Sequence, residues 1–400
     1  MQAVILVAGK STRTYPLTLT RPKPLLPVLN RPLIYFSLDQ LTGLVNEVIL
    51  IVGYRKEMIE DILGCEYKGI KIIYKEQKEQ LGTGHALLQA APYIKERFIA
   101  MNGDDLFARV DIEKLLTYQN AALAMKVPEP SQFGVCQVNQ DGHLINFIEK
   151  PKSFIGDLTN VGCYVFEPAI FSALKQTKPS ERGEIELPAA MLEIAKQKPL
   201  HVVNITGFWL ATGFPWDLLR TQRYLFDNFQ FDYTITGEVE KGALVHGPVY
   251  IEQGSIIKSG AQIYGPVFIG KNCEIGALSY IGPYTSLGHQ VKVNARSVIE
   301  ESIIMENCLI DTGAIIRHSV VGSNVRLDEG CHLISRLPDR KTIQSFVKGH
   351  KIDTKKHYLG AILSDNIHLG ARTLITPGNK LWPGVETSIN TCVESDIIKE

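Results

Sequence analysis

"IGKNCEIGALSYIG" (269–282) sets Ile269, Ile275 and Ile281 six residues apart, each followed by glycine. The spacing extends in both directions. Backward it takes in Ile263, Ile257, Ile251 and Val245; forward it takes in Leu287, Val293, Ile299 and Met305. After a four-residue step the series resumes as Leu309, Ile315, Val321, Leu327 and Leu333, and it returns at Leu363, Leu369, Ile375 and Leu381. A helix repeats every 3.6 residues and a strand every two, so a period of six suits neither alone. It suits a prism of short strands, each sending one aliphatic side chain inward per side. Such hexapeptide repeats predict a parallel β-helix over 242–400. "SRLPDRKTIQSFVKGHKIDTKKHY" (335–358) breaks the period and is expected to leave the prism as an excursion loop.

The part before this prism follows another rule. "AVILVAG" (3–9), "EVILIVGY" (47–54), "IKIIY" (70–74) and "RFIAMNGDD" (97–105) are apolar runs ending in glycine or polar residues. They predict buried strands. Helical stretches are expected between them at 33–44, 56–63, 84–91 and 111–119. Alternating strands and helices imply an α/β unit over 1–229, Rossmann-like and doubly wound, with helices on both sheet faces. Residues 230–241 form the expected linker. Ligands of such sheets sit beyond the carboxyl ends of the strands. The loops after Ala8, Tyr74 and Asn102 therefore belong to one rim.

Bulk properties exclude several classes. The 42 basic and 42 acidic side chains cancel, which gives no reason to expect nucleic acid or an anionic membrane as partner. The seven cysteines include no C-x-x-C pair, so neither a zinc nor a disulfide framework is expected. No apolar run approaches the roughly 18 residues of a membrane span, and the start lacks the features of a signal peptide. A soluble, cytoplasmic protein is expected.

Against that neutral background the opening is lopsided. Lys10, Arg13, Arg21, Lys23 and Arg31 precede the first carboxylate, Asp39. Gly9 follows the first strand, where exposed amides can receive phosphate. Arg13 suits bidentate phosphate contact, and Lys23 acts as a point charge. Pro16, Pro22, Pro24 and Pro27 stiffen the segment that carries them. Charge alone fits an ordinary basic surface loop equally well.

"AGKSTRTYPLTLTRPKPLLP" (8–27) resembles the signature of the sugar-1-phosphate nucleotidylyltransferases, which opens A-G-x-G-[ST]-R and ends P-K-x-[LM]-x-P. Further motifs follow in the family's order: "EQKEQLGTGHAL" (76–87) is similar to its nucleobase segment, "MNGDDLF" (101–107) to its metal loop, and "FGVCQV", "FIEKP" and "TNVGCYVF" to its sugar-binding strands. Together with the prism, the whole chain resembles the two-domain members of that family, which pair a mixed α/β sheet with a left-handed parallel β-helix. The resemblance implies a reaction in which an NTP, UTP or dTTP by the "EQLGTGHA" motif, and a sugar 1-phosphate of glucose or N-acetylglucosamine type give an NDP-sugar and pyrophosphate. It implies that Ala8, Gly9 and Lys10 line the nucleotide loop and that Arg13 and Lys23 hold the triphosphate. Gln77, Gly82 and Thr83 would contact the base. Asp104 would bind Mg²⁺. Gly134, Glu149, Lys150 and Asn160 would contact the sugar phosphate. Taken singly, Asp104 also fits a capping role, and Glu149 with Lys150 an exposed ion pair. His85 fits a packed position. The resemblance further implies a homo-oligomer, a trimer packed through the β-helix.

Three departures from the family pattern stand out. Ser11 and Thr14 differ from the opening signature. Ala211 stands where the family's second Mg²⁺-binding Asp is expected, and Asp217, six residues on, is no assured substitute. A metal-poor chain could be a regulatory relative that binds NDP-sugar without efficient turnover. In the β-helix, bifunctional relatives carry an acetyltransferase motif with a catalytic His. Here Thr312 replaces that His, Ile315 its Tyr and Arg336 its Asn, while His318 and His332 lie off the pattern. No acetyl transfer of the usual kind is expected, unless one of those two histidines serves in another geometry.

Overall fold

The computed structural model describes residues 1–399. They form two compact units, Met1–Lys10 with Leu33–Ala211, and Ser11–Pro32 with Thr212 onward. The compact units divide after Ala211, and the proline-stiffened opening loop packs with the second unit. Among the described residues, no helix is long and apolar enough to cross a membrane.

The first unit is a ten-stranded mixed sheet. Its parallel half consists of β1 (Gln2–Leu6), β2 (Glu47–Val52), β3 (Ile70–Glu76) and β4 (Phe98–Asn102), with β1 between β2 and β4 and β3 beyond β2. Ala3, Val4 and Ile5 of β1 are fully buried, as are Val48, Ile49, Leu50 and Ile51 of β2. Helices cover both sides of a parallel sheet, so its strands are apolar on both faces. The helix Lys56–Leu63 buries Ile59 and Leu63 and ends at Gly64, whose φ of 62° lets its amide bond to the Glu60 carbonyl at 2.9 Å. The other three expected helices form as Leu33–Leu41, Thr83–Leu88 and Arg109–Leu115.

The antiparallel part contains β5 (Ala121–Lys126), β6 (Gly134–Val138), β7 (Leu144–Glu149) and β8 (Leu158–Phe166); Glu66–Tyr67, antiparallel to β3, and His201–Asn204, parallel to β5, complete the ten. Strand β8 joins it to β4, and β6 pairs with both β7 and β8. Residues after the carboxyl ends of β1 to β4 thus share one rim with the start of β6 and the end of β7.

In the second unit, short strands stack into three parallel sheets of eight, eight and seven strands, a left-handed parallel β-helix. One buried aliphatic row runs Ile251, Ile269, Leu287, Ile304, Val321, Leu363, Leu381; another runs Ile263, Ile281, Ile299, Ile316, Leu333, Ile375. The structure corrects the middle of the expected series. The inward residues are Ile304, Ile310 and Ile316, not Met305, Leu309 and Ile315. Ile281 pairs with Ile299 eighteen residues on, whereas Ile299 pairs with Ile316 seventeen on. Two five-residue corners, at Glu301 and His318, replace the single four-residue step. Both residues have positive φ (46° and 47°), as tight corners demand. Because strand side chains alternate, a slip of one residue exchanges core for surface.

Between the strands His332–Leu333 and Ile362–Leu363 the chain leaves the prism in an excursion. It folds into a hairpin, Gln344–Val347 against His350–Asp353, turning at Lys348 and Gly349 with φ of 50° and 78°. Ser345 Oγ donates to the Gly378 carbonyl at 2.8 Å, and the Lys380 ammonium donates to the Phe346 carbonyl. The loop is therefore pinned to the prism.

Ile316→Ala should lower the denaturation free energy, read from guanidinium curves of the full chain, by about 2–5 kcal/mol. Ile315→Ala should cost about 1 kcal/mol or less. Equal losses would point back to the four-residue step.

Candidate active site

The rim of the first unit is built from backbone approaching backbone. Val7 continues β1 by donating to the Ile51 carbonyl at 2.9 Å. The Ala8 carbonyl accepts from the Tyr54 amide at 3.1 Å and from Gln80 Nε2 at 2.9 Å. Gly53 lies against it: a Cβ there would stand 2.9 Å from the Ala8 carbonyl oxygen. Gly103 donates to the Leu6 carbonyl at 3.0 Å, and a Cβ on Gly103 would overlap Val7 and Ile5. The turn carrying Asp104 is thereby seated directly beside the loop carrying Ala8, Gly9 and Lys10. At Gly9, by contrast, a Cβ would meet nothing within 4 Å. Gly9 and Lys10 face solvent.

The segment 76–87 is equally constrained. Gln77 is 4 % exposed. Its Nε2 lies 3.1 Å from both the Gly82 carbonyl and His85 Nδ1, and Gln89 Nε2 donates to the His85 carbonyl at 3.0 Å. His85 is thus a packed histidine. Gly82 has φ 97°, and a Cβ would stand 2.7 Å from the Ile185 carbonyl. Thr83 Oγ1 accepts the Leu187 amide at 3.3 Å. The loop and the segment around Ile185 lock together, since Gly84 donates to Ile185 and Ile185 to Leu81.

Asp104 and Asp105 follow β4, both half-buried. Trp209 Nε1 donates to Asp105 Oδ2 at 3.1 Å. Trp209 and Leu210 pair antiparallel with Phe107 and Leu106, so Ala211 continues towards the acidic turn. The segment leading there is anchored by Asp111, fully buried, which accepts the Thr206 amide at 2.7 Å and the Gly207 amide at 3.0 Å. Among the described residues, no three His, Cys, Asp or Glu side chains converge as a complete metal cage. The hard carboxylate oxygens of Asp104 and Asp105 do fit a divalent ion whose remaining ligands are water and substrate phosphates.

At the antiparallel edge of the sheet, Gly134 pairs with Glu149. A Cβ at Gly134 would overlap the Phe147 ring and stand 2.8 Å from Glu149 Oε2. Lys150, exposed and with φ 47°, donates its amide to the Phe133 carbonyl at 2.9 Å. Asn160 Nδ2 donates to the Tyr164 hydroxyl at 2.8 Å, beside a bulge in β8. Gly162, with φ 86°, makes room for Asn102 at the end of β4.

The second unit holds the loop cations. Ser11, with φ 50°, occupies a left-handed position that explains glycine in the family signature. Arg13 is exposed, its guanidinium 5.9 Å from the Phe214 ring centre. Lys23 is buried at 3 % exposure. Arg21 serves the fold: it bonds to Asp365 at 2.9 Å and Ser323 at 2.6 Å. Asp217 is half-buried, and desolvation pushes its carboxyl up from the usual range; it accepts the Phe214 amide at 2.8 Å. His318 lies 3.4 Å from Glu301 and against Tyr358. His332 is half-buried, and burial aided by Arg317 pushes its pKa down.

Comparison with known proteins assigns the chain. Residues 2–228 match the nucleotidyl transferase family, and 263–383 match a GMPPB C-terminal domain. The chain belongs to the sugar-1-phosphate nucleotidylyltransferases. It is 37 % identical to the bifunctional protein GlmU of Methanococcus vannielii, covering 100 % of this chain and 96 % of that one. It is 34 % identical to the bifunctional sugar-1-phosphate nucleotidylyltransferase/acetyltransferase of Sulfurisphaera tokodaii, over 95 % and 94 % of the two chains. A solved structure of a putative glucose-1-phosphate thymidylyltransferase from Bacillus anthracis covers 58 % of this chain and 97 % of its own, with 27 % identity and a TM-score of 0.52.

In this nucleotidylyltransferase, sequence reasoning had singled out neither Gly53, Gly103 and Gln80, which seat the loops, nor Trp209 and Asp111, which position the segment opposite Asp105. The signal for the glycines was present: each follows a parallel strand. Trp209 lies in the segment that the family resemblance marks around Ala211, but its bond to Asp105 was not legible there; nothing local marks Asp111, whose partners lie about a hundred residues away.

Gly103→Ala should destabilise the protein by about 1–3 kcal/mol through overpacking, read as a lower melting temperature. Gly9→Ala should change stability by no more than about 0.5 kcal/mol, leaving the melting temperature nearly unaltered, yet lower turnover, because the open space beside Gly9 is where a ligand would approach.

Proposed function

We propose that the enzyme joins UTP or dTTP to a hexose or N-acetylhexosamine 1-phosphate, of glucose or N-acetylglucosamine type, releasing pyrophosphate. The observation that carries this reading is the seating of the Ala8–Gly9–Lys10 loop beside the Asp104 turn at the rim of four parallel strands. In it, the loop amides with Arg13 and Lys23 hold the triphosphate. Gln77, Gly82 and Thr83 bound the base, the amide of Gln77 being fixed by Gly82 and His85. Gly134, Glu149, Lys150 and Asn160 bound the sugar phosphate, and Asp104 holds Mg²⁺.

A phosphate oxygen of the sugar 1-phosphate attacks the α-phosphorus. The bond from that phosphorus to the α,β-bridging oxygen breaks, and its electron pair leaves with pyrophosphate. A monoester phosphate has its second pKa near about 6 and is dianionic at neutral pH, so no side chain need remove a proton. Bound Mg²⁺ supplies charge neutralisation at the phosphates. The chain contributes alignment, which can be worth about 7–11 kcal/mol, and donors held where charge develops.

Ala211 favours a second reading, a regulatory relative with weak turnover, since the strand register carries an apolar residue towards the acidic turn. The β-helix is proposed as the assembly element of a homotrimer. The pairing of His318 with Glu301 and Tyr358 supports a structural role for that histidine rather than acyl transfer.

Pyrophosphate release, measured with four NTPs and several sugar 1-phosphates over a range of Mg²⁺ concentrations, separates the readings. Turnover with a pyrimidine nucleotide is expected; nucleotide binding without turnover would establish the regulatory reading. Asp104→Ala should abolish release, and Ala211→Asp should raise it at low Mg²⁺. Below about pH 6, kcat/KM should fall about tenfold per unit as the nucleophile gains a proton; a profile flat to pH 5 would refute the unassisted attack.

A further inference from the structure

The second unit contains a cavity of about 580 Å³ that the reaction above does not use as a whole. One wall is the opening loop, with Arg13 and Tyr15. The second is the tip of the excursion hairpin, with Phe346 and Lys348. The third is the last coil and the tail, with Trp382 and Ile398. The volume is that of small-molecule sites, which are mostly apolar with a few placed polar groups.

The lining has two characters. Phe346 is 45 % and Ile398 64 % exposed, large apolar surfaces left open towards the same space as Trp382 and Tyr15. Arg13 and Lys348 bring positive charge from opposite walls. The carboxylate of the lining, Asp396, does not offset them: it lies 3.4 Å from the Lys380 ammonium and accepts the Lys380 amide at 2.8 Å. Lys380 is 4 % exposed and also bonds the Phe346 carbonyl, so tail, coil and hairpin are tied at the cavity's base. Thr12, Tyr15 and Ser395 could bond the hydroxyls of a free sugar phosphate, but such a ligand would leave the Phe346, Trp382 and Ile398 surfaces uncovered. Inorganic phosphate would leave the aromatic surfaces open. A flat, apolar body carrying phosphate satisfies both characters, through stacking and charge.

We propose that this cavity is a second ligand site that binds a nucleoside phosphate, its base against Phe346 and Trp382 and its phosphates towards Arg13 and Lys348. Its occupancy lowers turnover, because Arg13 is then withdrawn from the triphosphate; that consequence, though not the binding, rests on the role given to Arg13 above.

Equilibrium dialysis of the full chain with ADP tests the binding without turnover. Lys348→Asn removes the charge while suiting the left-handed turn before Gly349, so folding is retained. This substitution and Trp382→Leu should each weaken ADP binding at this site at least tenfold. Lys348→Asn should keep pyrophosphate release without ADP within twofold of the unaltered enzyme. Adenosine and ribose 5-phosphate, each lacking half of the recognised chemistry, should bind at least tenfold more weakly than ADP. ADP affinity unchanged by both substitutions would overturn the proposal. Asp104→Ala should retain this ADP binding, so failure of the catalytic reading shows separately, as absent pyrophosphate release.

Discussion

The candidate site depends on how closely the end of the central strand approaches its neighbours. Ala8 lies against Gly53, and Val7 against Gly103, at separations that leave no room for a Cβ. A larger residue at either position would push the Gly9 loop away from the acidic turn. Buried strands dictate this closeness: β1 is covered on both faces, so its exit can be placed only by what borders it in the sheet. The amide of Tyr54 and the side chain of Gln80 then fix the Ala8 carbonyl. Binding loops on rigid scaffolds work in this way, since the strand ends restrain what the loop itself cannot.

The opening loop commits one of its cations to the fold. Arg21 is committed to Asp365 and Ser323, and Ser364 Oγ donates to the Pro16 carbonyl at 3.0 Å. Gln222, 1 % exposed, accepts the Leu29 amide and donates to the Tyr284 carbonyl. Buried polar contacts of this kind are costly to break once formed, so the β-helix unit holds the loop that bears Arg13 and Lys23. That gives the prism a role within the chain. Its excursion hairpin is likewise tied in, by Ser345 and Lys380.

Much of the fold was legible in the sequence, and the exceptions have physical causes. The hexapeptide series located the prism because an inward aliphatic at each side is a strict geometric demand. It misplaced Ile304, Ile310 and Ile316 because adjacent aliphatic residues, as in "SIIMENCLIDTGAII", satisfy hydrophobicity in either register. Only pairing with the coils on each side selects one. The parallel strands were legible as apolar runs, and their order in the sheet was not. The unit boundary was hidden because Ser11–Pro32 is contiguous with the first strand yet packs with residues some three hundred positions away.

By itself the sequence determined the two periodicities, the glycines after the strands and the acidic turn, because each is a local choice of residue type; that a carboxylate is expected at Ala211 came from the family resemblance. Tertiary structure alone decided that Arg21 is structural, that Trp209 holds Asp105, that Asp111 anchors the segment before it, and that hairpin, tail and opening loop enclose a cavity. Those outcomes join residues far apart in the chain, and no local pattern encodes a partner at that distance.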